Sequence, residues 1–277
     1  MTTGSTRWRL DLAYDGADFA GWARQPAERT IQGTLEVALQ RVTRLTRPAQ
    51  VTVAGRTDAG VHATGQVAHV DLPADAVAAA ADLLRRLNGV LPPDVRIRGA
   101  LRAPAGFDAR FSALSRRYVY RLTDRIPDPL RRGDTLAYQR PLDARLMAAA
   151  ALGLIGEHDF AGFCRRRPGG TTVRRLLVLD VVPVVHGVVE VRVEADAFCH
   201  SMVRALVGAL LAVGDGRQPI EWPAAVLAAR RRDPALTVAP AHGLTLVRVR
   251  YPRPTELAAR AEQTRRWRDL PAESGGL

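Results

Sequence analysis

The stretch VTVAGRTDAGVHATGQVAHVD, residues 51–71, decides the fold expected for this chain. β-Forming residues flank it at both ends, and the segment between them contains too much glycine and charge for either a strand or a helix. The stretch therefore predicts a strand, an exposed loop and a second strand. Gly55 and Gly60 allow backbone angles that are closed to other residues, so the residues between them are expected to project from the end of a sheet.

This loop presents one carboxylate, Asp58. Arg56 lies two residues away, and a cation that close favours the ionised acid, as a nucleophile or an anionic catalyst requires. The pentapeptide RTDAG alone is more typical of an ordinary hairpin turn, because Asp-Ala-Gly is common turn chemistry. The pentapeptide therefore leaves a catalytic aspartate and a simple turn both open.

The sequence around the loop predicts the element order βαββαβ. Residues 8–14 alternate in polarity as a half-buried strand does, and apolar residues recur at helical spacing over 31–42. An alanine-rich helix is predicted over 75–87, stopped by Asn-Gly and Pro-Pro pairs, and a strand over 95–101 closes the unit. This order is typical of ferredoxin-like folds.

The second half of the sequence predicts the same order again. Strands are expected over 116–122, 174–185, 188–197 and 244–251, and helices over 143–155 and 201–213. The two copies predict an α+β protein made of duplicated ferredoxin-like halves, although no sequence identity links them. The domain boundaries expected are 1–104 for the half with the Asp58 loop, 105–252 for the second half, and 253–277 for a tail that includes a helix over 255–267.

The charge balance indicates a polyanionic partner. The 277 residues carry a net charge of +12 and give a pI near 11.1. All 40 basic residues are arginine, whose planar fork suits phosphate and stacks on bases. A GC-rich genome would explain the missing lysine, but not the surplus of positive charge. Contact with nucleic acid is therefore expected.

Cysteine usage and apolar runs indicate a cytoplasmic protein. Cys164 and Cys199 are too few and too far apart in sequence for a metal knuckle or a disulfide framework, so reduced thiols are expected. The N-terminus has no apolar signal core. The longest helical apolar run, 205–213, is far shorter than the roughly 20 residues that a membrane span requires. Neither export nor membrane insertion is expected.

The longer string GRTDAGVHATGQV resembles the catalytic motif of the tRNA pseudouridine synthases of the TruA type. Three further stretches resemble motifs of the same family: residues 14–39, 107–122 (FDARFSALSRRYVYRL) and 195–214 (ADAFCHSMVRALVGALLAVG). Ala23 departs from the glutamine that the family often has there. The resemblance implies the pseudouridine synthase fold, in which both halves form a continuous mixed, mainly antiparallel sheet flanked by helices.

The resemblance also implies roles for individual residues. Asp58 is expected to be the catalytic nucleophile, acting on the sugar or on the base. Arg56 is expected to pair with Asp58 and to hold the target nucleotide out of its stack. Tyr118 matches a tyrosine that lies against the uracil, Leu244 matches a position that lines the pocket, and Arg204 is expected to order the surroundings of the aspartate.

Four other arginines are predicted to contact the RNA backbone. Arg110 and Arg116 alternate with aromatic residues, a mixture that can grip phosphate while a base stacks, although packing of a core explains the aromatics equally well. Arg165 and Arg166 belong to the basic segment CRRRPGGTTVRR, a predicted clamp or a solvated loop. His200 is expected to be structural.

The expected activity is isomerisation of uridine at positions 38, 39 and 40 of tRNA by a cytoplasmic homodimer without a metal or a small-molecule cofactor. No Rossmann, Walker or metal-ligand pattern is visible. A non-catalytic RNA-binding protein is the main alternative, since ferredoxin-like sheets with aromatics also bind RNA. A glycosidase is a second alternative, with Asp71 as its other carboxylate.

Overall fold

The computed structural model describes residues 4–165 and 171–265, and within them ten strands form one sheet. The strands are β1 (Ser5–Tyr14), β2 (Val51–Val53), β3 (His62–Pro73), β4 (Val95–Arg102), β5 (Ser115–Thr123), β6 (Leu136–Ala137), β7 (Gly156–Asp159), β8 (Val173–Pro183), β9 (Val189–Ala195) and β10 (Leu244–Arg250). The helices are α1 (Ile31–Thr43), α2 (Ala80–Val90), α3 (Ala144–Leu152), α4 (Met202–Gly214), α5 (Trp222–Ala229) and α6 (Leu257–Arg265).

The strand order repeats between the two halves. The main path is β4-β1-β3-β10-β5-β9-β8-β7, with β2 on β3 and β6 on β5. In the first half the strands stand in the order β4-β1-β3-β2, and in the second half β10-β5-β9-β8 occupy the equivalent places. Since helices follow the first and third strands of each unit, both halves are ferredoxin-like. The predicted fold class is confirmed.

The two halves meet where β3 runs beside β10. This pairing is parallel and short, while the other main-path neighbours are antiparallel. The paired residues are Thr245 with His62 and Leu246 with Ala63. A Cβ on Gly65 would lie 2.1 Å from the Val247 carbonyl oxygen, so only glycine lets the two strands approach this closely. We call this junction the seam.

Two helices illustrate how the sequence sets the packing. Thr30 begins α1 as its N-cap, because its side chain accepts a hydrogen bond from the Gly33 N–H. Helix α4 differs from a surface helix: nearly all of its residues are buried, Arg204 being the one intermediate position. A helix that is apolar on nearly all sides belongs inside a protein, which agrees with its packing against α3 and α5.

Some boundaries differ from those predicted. Helix α2 starts at Ala80 and continues through Asn88 to Val90, because the Asn88 side chain exchanges two hydrogen bonds with the backbone of Ile97 instead of ending the helix. The short strands β6 and β7 and helix α5 were not predicted. Helix α6 falls within the predicted terminal helix, whose last two residues lie outside the described range. The predicted domain boundaries stay a prediction.

The expectation of separate reduced thiols is wrong for this structure. Cys164 and Cys199 form a disulfide with their Cα atoms 5.7 Å apart, because the fold brings together segments 35 residues distant in sequence. Among the residues that the structure describes, none of the helices combines the length and the apolar character that crossing a bilayer requires.

Candidate active site

Asp58 lies in the loop between β2 and β3, at the seam between the halves. The loop backbone is held from the side by the segment after β1: the Trp22 N–H donates to the Thr57 carbonyl, and the Gly60 N–H donates to the Phe19 carbonyl. Gly21 has a φ of +98° and packs directly on this backbone. The loop therefore has a fixed position, unlike an ordinary solvated turn.

A buried polar network supports the same loop from below. The Tyr14 hydroxyl and the Thr57 hydroxyl are 2.8 Å apart, and the Gln66 amide donates to both Tyr14 Oη and the Gly55 carbonyl. Burial raises the pKa of Tyr14 to about 12, although its hydrogen bonds to Thr57 and Gln66 act in the opposite direction. Tyr14 therefore remains a neutral hydrogen-bonding group at physiological pH.

The Asp58 carboxylate faces three side chains from the other half of the chain. Its Oδ1 lies 3.4 Å from His200 Nε2, and its Oδ2 lies 3.4 Å from Ser201 Oγ and 3.7 Å from an Arg204 guanidinium nitrogen. The Asp58 side chain keeps 27% of its surface exposed. The carboxylate is thus neither buried in apolar core nor free in solvent, and a substrate can reach it.

Helix α4 begins directly beside this carboxylate. Ser201, the residue before the helix, has a φ of 62° and caps no helical N–H with its side chain. Its hydroxyl faces Asp58 instead. A non-glycine residue in the left-handed region is strained, and such strain concentrates at functional sites. The start of a helix also carries partial positive charge, which favours an anion there.

His200 is a site residue that the sequence interpretation had classed as structural. Its Nδ1 is buried and has no hydrogen-bond partner among the described residues. Nε2 is therefore the ring nitrogen that faces Asp58. The sequence feature that points to His200 is its spacing: it stands four residues before Arg204, about one helical turn away.

Arg204 lies close to the Asp58 carboxylate. Its Nε donates to the Ala239 carbonyl at 2.7 Å, which fixes the guanidinium, and a terminal nitrogen then reaches towards Asp58. The side chain is 20% exposed. That Arg204 orders the surroundings of the carboxylate stays a prediction.

Tyr118 and Leu244 lie on neighbouring strands beneath the site. Tyr118 is 6% exposed, and its ring meets that of Phe198 edge to face at 5.2 Å. Burial raises the pKa of Tyr118 strongly, and the nearby Tyr14 and Asp58 raise it further. Leu244 is 4% exposed and opposes Tyr120 across the β10–β5 ladder. Their contact with a uracil stays a prediction.

Arg56 is exposed and forms no ion pair with Asp58 in the part of the chain that the structure describes. The predicted pairing is therefore not observed, because two residues along this loop the side chain points outward. His200 and Arg204 take the place expected for Arg56. Its expected action on the nucleotide stays a prediction, since an exposed guanidinium on this loop is available to RNA.

The prediction that Arg116 contacts the RNA backbone is corrected by the structure. Arg116 is 7% exposed, and its guanidinium is directed inward to backbone carbonyls. Arg110, in contrast, is exposed with its guanidinium 5.0 Å from the centre of the Phe111 ring. Arg165 is exposed too, and its N–H donates to the His200 carbonyl. Arg166 lies outside the described residues.

Asp71 takes no part in this site. It forms a two-pronged ion pair with Arg7, nine residues along β3 from His62 and so about 30 Å away from the start of that strand. The pair of neighbouring carboxylates that most glycosidases use is therefore not formed by Asp58 and Asp71. Among residues 4–165 and 171–265, no three His, Cys, Asp or Glu side chains converge as a metal site would require.

Fold and site together define an α+β protein of duplicated ferredoxin-like halves, with a partly exposed carboxylate where the two halves meet. The sequence profile described as tRNA pseudouridine synthase matches residues 12–112 and 150–252. The chain therefore belongs to the tRNA pseudouridine synthase family, and it is an isomerase that acts on uridine in tRNA.

Curated relatives carry a more specific name. A protein of Frankia casuarinae named tRNA pseudouridine synthase A is 69% identical over 278 residues, covering 99% of this chain and 100% of the relative. One of Streptomyces griseus with the same name is 58% identical, covering 97% of this chain and 96% of the relative. A solved archaeal box H/ACA sRNP Nop10-Cbf5 complex is similar over 74% of this chain and 43% of that chain, at 12% identity and a TM-score of 0.31.

Proposed function

We propose that this chain converts uridine to pseudouridine in the anticodon stem-loop of tRNA, at positions 38, 39 and 40, with Asp58 as the carboxylate that acts on the target nucleotide. The observation that carries the assignment of Asp58 is its setting. The loop backbone is fixed from the first half, the second half directs His200, Ser201 and Arg204 at the carboxylate, and 27% of the side chain remains open to substrate.

The reaction suits a site of this kind. The bond from ribose C1′ to uracil N1 breaks and a bond from C1′ to C5 forms, while N1 gains a proton and C5 loses one. Nothing is oxidised and no group leaves the molecule. A single carboxylate at hand can act on the sugar or on the base as the first bond breaks. The polar side chains around Asp58 hold its carboxylate in one position throughout the reaction. The carboxylate is therefore already placed for the target nucleotide when it binds.

Other side chains have supporting roles in this proposal. Arg56 reaches out from the same loop and would hold the nucleotide after it leaves its stack. Tyr118 and Leu244 would line the side of the pocket nearest the sheet, and Arg204 keeps Asp58 in place. Arg110 and Arg165, both exposed, would contact RNA phosphates.

The partners proposed follow the same reasoning. A net charge of +12 agrees with a large anionic substrate, for which association is steered by charge and weakened by salt. We expect the enzyme to work in the cytoplasm, where tRNA is processed. The family resemblance also implies a homodimer in which one tRNA contacts both subunits.

The test compares the wild type with Asp58→Asn on unmodified tRNA transcripts. Pseudouridine is mapped by carbodiimide blockage of reverse transcription, and tRNA affinity is measured separately. We expect wild type to modify positions 38 to 40, and Asp58→Asn to bind tRNA with a Kd within about threefold of wild type while isomerisation is lost. Asp71→Asn is the matched control, because it removes a carboxylate of the same strand-loop-strand unit but outside the site, and it should remain active.

Two outcomes would contradict the proposal. Isomerisation by Asp58→Asn at the wild-type rate would remove Asp58 from the chemistry. Pseudouridine that depends on Asp58 but appears at other tRNA positions would keep the catalytic assignment and overturn the anticodon stem-loop as target.

A further inference from the structure

Arg116 is a buried cation for which neither RNA binding nor the chemistry above gives a use. It lies at the start of β5, paired with Ala195 on one side and Val249 on the other, and is 7% exposed. No ion pair to Arg116 occurs within the described part of the chain. Burial lowers the pKa of its guanidinium. A buried charge without a counter-ion is costly unless hydrogen bonds compensate it.

The guanidinium connects three separate segments of the chain. Its Nε and one terminal nitrogen donate to the Ala54 carbonyl at 3.1 and 2.6 Å. The same terminal nitrogen donates to the Arg110 carbonyl at 2.7 Å, and the other donates to the Asp196 carbonyl at 2.7 Å. The rigid planar fork of arginine can reach these three carbonyls at once, which the single ammonium of lysine cannot do with the same geometry.

Two of those segments lead directly into the active site. Ala54 directly follows β2 and stands four residues before Asp58, while Asp196 follows β9 and stands four residues before His200. Gly55, the first residue of the loop, has its missing Cβ position 3.9 Å from the Arg116 side chain. Arg116 therefore ties the segment that carries the carboxylate to the segment that carries its partners, across the seam.

We propose that Arg116 is a positioning residue that sets the distance between Asp58 and the His200–Ser201 turn. It touches neither substrate nor Asp58, and it acts by holding the backbone ahead of each. The contacts between Asp58 and its partners are 3.4 to 3.7 Å long, so a small separation of the two segments breaks them. This inference rests on the proposal that Asp58 carries the chemistry.

The test separates the chemical step from binding and from stability. Arg116→Met keeps an unbranched stem of similar length up to the position of Nε and removes the fork, and Arg116→Lys keeps the charge but not the fork. Each variant is assayed under single-turnover conditions with enzyme in saturating excess over a tRNA transcript, well below its melting temperature. Under these conditions a fraction of unfolded enzyme does not change the limiting rate. The tRNA Kd and the melting temperature are measured in parallel.

We expect the limiting rate of Arg116→Met to fall about 100-fold, the effect typical of a misplacement of about 1 Å, with a Kd within about threefold of wild type. Arg116→Lys should recover part of the melting temperature but remain at least tenfold slow. Arg96→Met is the matched control. The Arg96 guanidinium also donates to three backbone carbonyls, but all of them lie within the single segment 91–95, so it ties no two segments of the site together and its limiting rate should equal that of wild type.

Three results would overturn the inference. A lowered melting temperature with an unchanged limiting rate would show that Arg116 is only structural. A tRNA Kd raised tenfold or more at an unchanged limiting rate would show that Arg116 acts in RNA binding instead. A wild-type rate in Arg116→Lys would show that charge alone suffices. If Arg116→Met does not fold, the lysine variant decides by the same measurements. The activity of Asp58→Asn is measured separately. A wrong assignment of Asp58 can therefore be distinguished from a wrong assignment of Arg116.

Discussion

A methyl group added at Gly21 tests whether the position of the Asp58 loop sets the rate of catalysis. Gly21 has a φ of +98°, and its Cβ would lie 2.9 Å from the Thr57 carbonyl oxygen and 3.1 Å from the Asp58 carbonyl carbon. Ordinary contact begins at 3.4 Å, so the loop or its neighbour must move by about 0.5 Å. The substitution therefore displaces the loop without removing any group that contacts the carboxylate.

The expected magnitude has two parts. The left-handed angle costs alanine about 1 to 2 kcal/mol of stability, and forced overpacking adds about 1 to 3 kcal/mol. A displacement of about half an ångström at Asp58 should slow the chemical step about 10-fold. Gly216→Ala is the matched control, because Gly216 has a φ of +76° and nothing within 4 Å of its Cβ position. Gly216→Ala should lose only the stability that the left-handed angle costs, about 1 to 2 kcal/mol, and should keep the wild-type rate of the chemical step.

Both quantities are measured on the same protein samples. Urea unfolding gives the free energy of unfolding, and single-turnover formation of pseudouridine with enzyme in excess gives the rate of the chemical step. Gly21→Ala with the rate of Gly216→Ala would refute the reasoning, because the loop would then tolerate displacement. Equal stability losses in the two variants would show that Gly21 makes no repulsive contact.

Two further predictions concern histidines. His200→Ala should slow the chemical step about tenfold or more by removing the ring nitrogen that lies 3.4 Å from Asp58 Oδ1, whereas His200→Gln, which keeps a polar N–H group there, should recover part of the rate; equal rates in the two variants would show that this contact does not support the rate. His69 accepts a hydrogen bond from the Ala109 N–H, and burial lowers its pKa from 6.5. The unfolded chain therefore binds the proton first, so this stabilisation is complete above about pH 6.5 and is lost as the pH falls below it. His69→Asn, which accepts the same bond but does not titrate, should lose less stability between about pH 7.5 and 5.5, as measured by urea unfolding; an identical pH dependence would exclude His69 as the cause.

The parts of the fold that sequence predicted are those with local signals. Alternation over residues 8–14 and helical spacing over 31–42 correspond to β1 and α1, and the same kind of pattern gave both ferredoxin-like units. The Asp58 loop was found because glycines mark its ends and because a long, ungapped string resembles the family motif. Helix α2 was misplaced, since an Asn-Gly pair that normally ends a helix is bonded here to the neighbouring strand.

The parts that sequence missed depend on contacts distant along the chain. His200 and Ser201 are more than 140 residues from Asp58, and a serine gives no sign of the left-handed angle that directs its hydroxyl. Arg116 was assigned to the surface, because an arginine on a strand is normally solvated. Its compensation comes from carbonyls of three segments that only the folded chain assembles. The disulfide likewise depends on the loop after β7 meeting the start of α4.

The short parallel junction between β3 and β10 has a consequence for how the enzyme is made. Asp58 is translated early, its partners at residues 200–204 much later, and the strand that joins the two halves is completed only at Arg250. Under the proposal that Asp58 carries the chemistry, a growing polypeptide on the ribosome would hold an inactive Asp58 for most of its synthesis. We expect activity only after the last strand docks, so premature stop codons before that point should yield fragments that do not isomerise uridine in cellular RNA.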